Sequence, residues 1–396
     1  MKKLLTMTVL GGLFAANTMQ AQINIYIAGS TAFRANAYRA IKAAFDGGAP
    51  TLVNPSSAGT GTSVVTFQGT MSNAIPSFGA NTVTVYASYN GSVQGIGNLN
   101  GSQNVTFTNI TPGGAAVSHV PDITFSDVDY ASTLFPNAPL KETHIAVLPF
   151  AYVKNLYTPA SVTNVTIQQL QPLWDNGLMK LSYFTGNPSD DSSYMYVTGR
   201  NKDSGTRVTA GADAFYSGSA QFYGFNTTAP TTWAVLNQNI SGPLYGYGYS
   251  SGGNEAAALT NANAGGACIG YLGIADATTV AGGYGVSSGG GSVIQYNGFF
   301  PFSGYTIGAT VPSNPDFTPV IKGQYSFWSY ENLETLSSHT ADNVYSYYTN
   351  TVSTIDNDIA TAISQGGTGS YGTVTAIRLS AMKVSRPSVG GKITPN

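Results

Sequence analysis

The sequence predicts an α/β protein of two lobes enclosing a cleft, and three observations carry that reading. Strand-like alternations repeatedly give way to helical patterns, the turns between them are rich in glycine and hydroxyl residues, and the chain leaves one lobe through a long apolar run and later returns. Ligands of open α/β sheets sit at the carboxyl ends of strands, against helix N-termini, which is where these turns fall.

The chain starts Met1-Lys2-Lys3, continues through an apolar stretch from Leu4 to Ala16 and reaches Ala21-Gln22 after small and polar residues. That layout reads as a secretory signal peptide over residues 1–21, cut after Ala21, with an apolar part too short to span a bilayer. The mature chain of about 375 residues is expected to be exported, with no membrane span, and suits two lobes. Its first segment alternates Ile23, Ile25 and Ile27 with polar residues, then turns at Ala28-Gly29-Ser30-Thr31 into a helix whose Phe33, Ala37, Ala40, Ile41 and Ala44 share one face. Val83, Val85 and Ala87 form a second strand that ends at Asn90-Gly91-Ser92 and a helix, and Ile123 to Phe125 form a third that ends at Ser126-Asp127. From Ile145 to Val153 the run is continuously apolar, as a strand buried on both faces would be. A lobe crossing is placed near its end, so that residues 22–150 and 301–396 form one lobe and residues 151–300 the other.

In that second lobe, Val165 to Leu170 with Trp174 reads as a capped amphipathic helix, Gly252-Gly253-Asn254-Glu255-Ala256 opens another that reaches Leu259, and Ile269 to Ala275 reads as a buried strand. The tract from Gly282 to Gly291 reads as a mobile surface loop. Past Pro301 the chain crosses back, with Val320 to Tyr330 and a helix around Val352 to Ile363 completing the first lobe.

Composition narrows the function. Only 9% of residues are charged and the net charge is -2, so a basic nucleic-acid footprint is absent. The single cysteine, Cys268, rules out an intramolecular disulfide and sits in a stretch that reads as a buried strand. Asp127-Val128-Asp129 lacks the further carboxylates of a calcium loop, and His119, His144 and His339 show no ligand spacing, so neither a metal nor a cofactor is expected.

The segment richest in chemistry runs from Tyr194 to Arg207: an alternating apolar run, Arg200 at its end, a short polar turn, then Ser204-Gly205-Thr206 opening a helix. The first-turn N–H groups of a helix have no intrahelical partners and lie at the positive end of its dipole, and the hydroxyls of Ser204 and Thr206 add donors. Arg200 supplies a planar fork that can hold two oxyanion oxygens at once.

Taken in order, Ala28 to Thr31, Asn90 to Ser92, Ser126-Asp127, the Arg200 to Thr206 spacing, Gly253 to Glu255, Ile269 to Tyr271 and Gly323 to Glu331 resemble the periplasmic phosphate-binding protein family, the substrate-capture component of phosphate ABC importers. The resemblance spans roughly residues 23 to 331. It implies a two-lobed periplasmic-binding-protein-like fold of type II, a non-enzymatic and monomeric protein, inorganic phosphate as ligand and an inner-membrane ABC permease as partner. Carried over by residue, it puts Thr31, the Ala32 N–H and Ser92 on the phosphate from the first lobe, Asp127 there as acceptor, and Arg200, Ser204, Gly205 and Thr206 on it from the second. A carboxylate beside an anion is sensible only when the ligand has a proton to donate, as hydrogen phosphate has and sulfate at neutral pH has not. The chain departs from the family in its long insertion between Thr31 and Ser126, and in Lys202, which stands where an acidic residue would orient the arginine.

Two other readings were weighed. Gly248-Tyr249-Ser250-Ser251-Gly252 fits the nucleophile-elbow pattern of a secreted hydrolase, but Gly285 to Gly289 fits it too and no apolar strand precedes either. A non-transport surface or structural protein on the same fold would account for the low charge and the abundance of Tyr, Asn and Gly.

Overall fold

The computed structural model describes residues 22–225, 233–236, 248–261, 265–282, 291–367 and 371–396. Residues 1–21, read above as a signal peptide, and residues 283–290 of the glycine tract, including the second elbow-like pattern, lie outside the described residues.

The alternating isoleucines make β1 (Gln22–Gly29), which leads into α1 (Arg34–Ala43). Phe33, Ala37, Ala40 and Ile41 are all at most 2% exposed, so the apolar face read from the sequence is the one that packs. The long insertion folds largely into sheet: β2 (Leu52–Asn54) pairs with β3 (Val64–Gly69), and β3 pairs antiparallel with β4 (Thr82–Ser88). It thereby extends one edge of the main sheet. Next come α2 (Ser92–Asn100), β5 (Ile123–Ser126) and the long β6 (Leu140–Lys154).

β6 has 15 residues and serves both halves of the sheet. From Leu140 to Pro149 it pairs antiparallel with β10 (Trp328–Leu336), and from Phe150 to Lys154 it pairs antiparallel with β9 (Ala267–Gly273). Its apolar run is buried throughout, as expected of a strand covered on both faces. Beyond it, α3 (Ile167–Asn176) begins with a capping box, in which Thr166 accepts from the Gln169 N–H and the Gln169 side chain accepts from the Thr166 N–H, and ends at Gly177 with φ 73°. Then follow β7 (Leu178–Lys180), β8 (Tyr194–Val197), α4 (Gly205–Asp213) and α5 (Gly252–Leu259).

The strand expected from Ile269 to Ala275 is β9, which starts at Ala267 and stops at Gly273. Ile274 already opens α6 (Ile274–Gly282), where Asp276 in the first turn suits the positive helix end. The closing helix α7 (Asn343–Ser364) starts nine residues before the expected Val352. Its early turns bury Tyr347, Tyr348 and Thr351, an inward face that tyrosine and threonine hide from an aliphatic reading, and Asp342 caps it by accepting from the Tyr345 N–H.

The main sheet has the order β7-β8-β9-β6-β10-β5-β1-β4-β3-β2, with a short strand at Ser292–Val293 also on β6. Within it β5, β1 and β4 are parallel, as are β8 and β9. This mixed α/β sheet flanked by helices is the fold class the sequence predicted. Cys268 is fully buried in β9, as expected. No helix among the described residues is long and apolar enough to cross a membrane.

Candidate functional site

Four strand ends and the helices that follow them meet at one place. β1 ends at Gly29, whose φ of 115° and near-contact with the Phe125 carbonyl, 2.0 Å from where a Cβ would stand, admit only glycine. The Ser30 N–H donates to that same carbonyl at 2.8 Å, and Thr31 and the half-buried Ala32 form the turn into α1. β4 ends in Asn90-Gly91. Asn90 accepts from the Gly29 N–H at 3.2 Å, and Gly91, with φ 114°, lets the start of α2 approach Asp203.

The segments that follow β1, β4 and β5 touch the one that follows β8 directly. The Val93 and Gln94 N–H groups, in the first turn of α2, donate to the Asp203 carbonyl at 3.1 and 3.4 Å. Arg200 Nη2 donates to the Thr31 hydroxyl at 3.3 Å. Asp127, 2% exposed, accepts the Ser92 hydroxyl on Oδ1 and the Thr206 hydroxyl, at 2.7 Å, on Oδ2. Its N–H donates to Ser92 Oγ at 3.2 Å, and its carbonyl accepts the Thr209 hydroxyl at 3.2 Å. A Cβ on Gly205 would stand 1.9 Å from Asp127 Oδ1, so that helix start must be glycine for the carboxylate to lie against it. Ser204 caps α4, its hydroxyl accepting from the Arg207 N–H at 3.3 Å.

Thr31, Ser92, Asp127, Arg200, Ser204, Gly205 and Thr206 are therefore buried within one polar cluster, and Ala32 lies beside it. The hydroxyls of Ser92 and Thr206 point at Asp127. A carboxylate has about four lone-pair sites, so these two bonds leave acceptor capacity for a third donor. Burial raises the Asp127 pKa, while the Ser92 and Thr206 hydroxyls and the nearby Arg200 oppose that rise.

Arg200 is oriented by backbone. Its Nε donates to the Tyr249 carbonyl at 3.2 Å and its Nη2 to the Ser250 carbonyl at 3.1 Å, while its own N–H donates to the Tyr271 hydroxyl at 3.1 Å. Lys202 is exposed, and the carbonyls that hold the guanidinium are those of Tyr249 and Ser250. The segment that fits the nucleophile elbow is thus a carbonyl shelf for the arginine: Ser251 caps α5 and the Ser250 hydroxyl accepts from the Asn254 side chain at 2.9 Å.

Two carboxyls that the sequence reading named only within the family-like segments, with no part in the site, are buried near the cluster. Glu255, fully buried in α5, accepts the Tyr271 N–H at 3.0 Å and is pushed up to about 8 by burial, against the pull of Arg200. Glu331 on β10 is fully buried and raised well above the usual carboxyl range, by burial and then by the charge of Asp127. Their only signal was charge inside apolar elements, which α5 and β10 share with many surface helices and edge strands. A polar groove of about 620 Å³, with Thr31, Asn90, Asn201, Asp203, Ser250 and Asn254 in its walls, opens beside the cluster.

Similar solved structures include a Clostridium perfringens protein described as a phosphate ABC transporter substrate-binding protein, with phosphate bound. It is 14% identical, with 90% of this chain and 99% of that one covered at a TM-score of 0.49. An ABC-type phosphate transport receptor from Vibrio cholerae is 16% identical, with 85% and 97% covered at 0.44. A human phosphate-binding apolipoprotein is 14% identical, with 90% and 91% covered at 0.45. No protein-family model matches the chain, and no curated protein does. At such identity the site has to be read from this chain's own residues.

Proposed function

We propose that this chain is an exported capture protein that holds hydrogen phosphate between two lobes, residues 22–150 with 301–396 on one side and 151–300 on the other, and delivers it as a monomer to an ABC permease. The observation that carries the reading is Asp127. A buried carboxylate that gathers hydroxyls from α2 and α4 and lies beside a fixed arginine is arranged to accept one more hydrogen bond. Hydrogen phosphate can supply it. In this reading Thr31, Ala32 and the Ser92 backbone N–H donate from the first lobe, and Ser204, Gly205 and the Thr206 backbone N–H from the second, the Ser92 and Thr206 hydroxyl protons being held by Asp127. Arg200 supplies the positive charge that the anion needs in a site shielded from water.

The chemistry asks for no bond to be made or broken. Binding trades the water around phosphate for fixed donors, and Asp127 discriminates by protonation state: a fully deprotonated tetrahedral anion would place its oxygen against a carboxylate with no proton between them. The shelf formed by the Tyr249 and Ser250 carbonyls keeps the guanidinium in place before the ligand arrives, which lowers the ordering cost of binding.

Calorimetry on protein stripped of phosphate tests the proposal. The parent should bind one phosphate per chain, with arsenate competing. Arg200→Ala should weaken binding by about 2–3 kcal/mol, the range for a hydrogen bond to a charged group. No heat with phosphate would instead favour a surface or structural role on the same fold.

A further inference from the structure

Below the phosphate cluster, on the face of the sheet where β6 pairs with β10, a second group of ionisable side chains converges. Asp129, Glu142 and His144 each bring one ligand atom to within 4.8 Å of the others. His144 Nε2 is 3.9 Å from Asp129 Oδ1. In the strand register Glu142 stands directly opposite Glu334, and His144 opposite Asn332, so all four side chains leave the sheet on one face. Directly opposed positions in an antiparallel pair hold their Cβ atoms about 4.5–5.5 Å apart, so the Glu142 and Glu334 carboxyls share one space. Glu334 is fully buried, and the carboxyl that faces its own is that of Glu142.

From this geometry we propose that Asp129, Glu142 and His144 form a site for one divalent first-row transition-metal ion, with zinc as its reference probe and with Glu334, opposed to Glu142, turning in as the fourth ligand. Three carboxylates and one imidazole make a four-ligand set of oxygen and nitrogen donors, and the imidazole disfavours calcium and magnesium. The ligands are already held. Asp129 Oδ2 accepts the Val389 N–H at 3.0 Å and Glu142 Oε2 accepts the Tyr130 N–H at 3.0 Å, which leaves the other oxygen of each for the ion. The His144 ring lies flat against Tyr330, with centroids 4.0 Å apart and planes at 10°.

Charge points the same way. Arg386 lies close enough to feel Asp129, but its nearest carboxylate is Asp213, at 3.7 Å, and its guanidinium covers the Trp328 ring. Glu142 and His144 are only half-buried, so an ion can reach the site from solvent. Sequence spacing could not show this set, because its members come from a loop and from two strands about 190 positions apart in the chain.

The rival arrangement is a proton shared between Glu142 and Glu334, with no ion. The full mature chain, stripped with a chelator, decides between them by zinc calorimetry and by the visible spectrum of the cobalt-loaded protein. One zinc per chain with a dissociation constant below about 10 μM is expected. Glu334→Gln and His144→Gln should each weaken it about 10-fold or more, and His144→Gln should change the cobalt spectrum. Glutamine in place of Glu334 keeps the size of the side chain and cannot ionise, so the metal-free Glu334→Gln form should unfold at the same temperature as the parent or higher, which separates loss of the site from loss of the fold. Absence of zinc binding by the parent, or zinc affinity untouched in both variants, would overturn the proposal.

Discussion

Glu255→Gln offers a test of the electrostatics around Arg200 whose size follows from the structure. Glu255 is fully buried in α5, and its carboxyl is pushed from 4.5 up to about 8. A raised acid holds its proton in the folded state where the unfolded chain has released it, so stability falls as pH rises from 4.5 to about 8 and is level on either side. The difference of about 3.5 pH units, at 1.36 kcal/mol each, amounts to roughly 5 kcal/mol lost across that window. Glutamine keeps the acceptor for the Tyr271 N–H and cannot ionise. The variant should match the parent near pH 4.5 and become progressively more stable than it toward pH 8. With an unfolding entropy of about 2.1 cal/mol/K per residue, 5 kcal/mol corresponds to a gap of about 6 °C in Tm for a chain of about 375 residues. Thermal unfolding by circular dichroism at half-unit pH steps measures it. Parallel Tm curves for parent and variant across the window would refute the assignment of a protonated Glu255.

Three further outcomes are expected. Gly205→Ala sets a methyl 1.9 Å from Asp127 Oδ1, so α4 and β5 must separate, at a cost of roughly 1–3 kcal/mol to the joined state; calorimetry should show phosphate affinity reduced about 10-fold or more. Arg386→Met leaves Asp213 buried without its cation and should cost about 3–5 kcal/mol in urea unfolding, most of it recovered when Asp213→Asn is added. Arg200→Ala should lose phosphate affinity in calorimetry, because the guanidinium that the Tyr249 and Ser250 carbonyls hold in place is gone.

Much of the fold was legible because its signals are local. The isoleucine alternation of β1, the Thr166 and Gln169 capping box and the unbroken apolar run of β6 each declare an element within about ten residues. The Arg200 to Thr206 half of the site was legible for the same reason, as a strand end, a cap and a helix start in succession. What binds the two halves was not. The bonds from Ser92 and Thr206 to Asp127 join positions 35 and 79 residues apart, and nothing in either segment announces its partner. Lys202 drew attention by its place in the motif, yet the arginine is held by the Tyr249 and Ser250 carbonyls, which any residue type could provide. The buried carboxyls of β10 were missed because Glu331 and Glu334 in sequence suggest a solvated strand, whereas both are fully enclosed. The start of α7 was missed because its inward face is built from tyrosine and threonine.

Asp127→Asn bears most directly on the claim that this site selects a protonated oxyanion. Asparagine keeps the size of the side chain and presents a donor where the carboxylate could only accept. Calorimetry of the parent should show phosphate bound and sulfate excluded, and the variant should take up sulfate while its preference for phosphate shrinks. Sulfate still excluded by a variant that continues to bind phosphate would contradict the account.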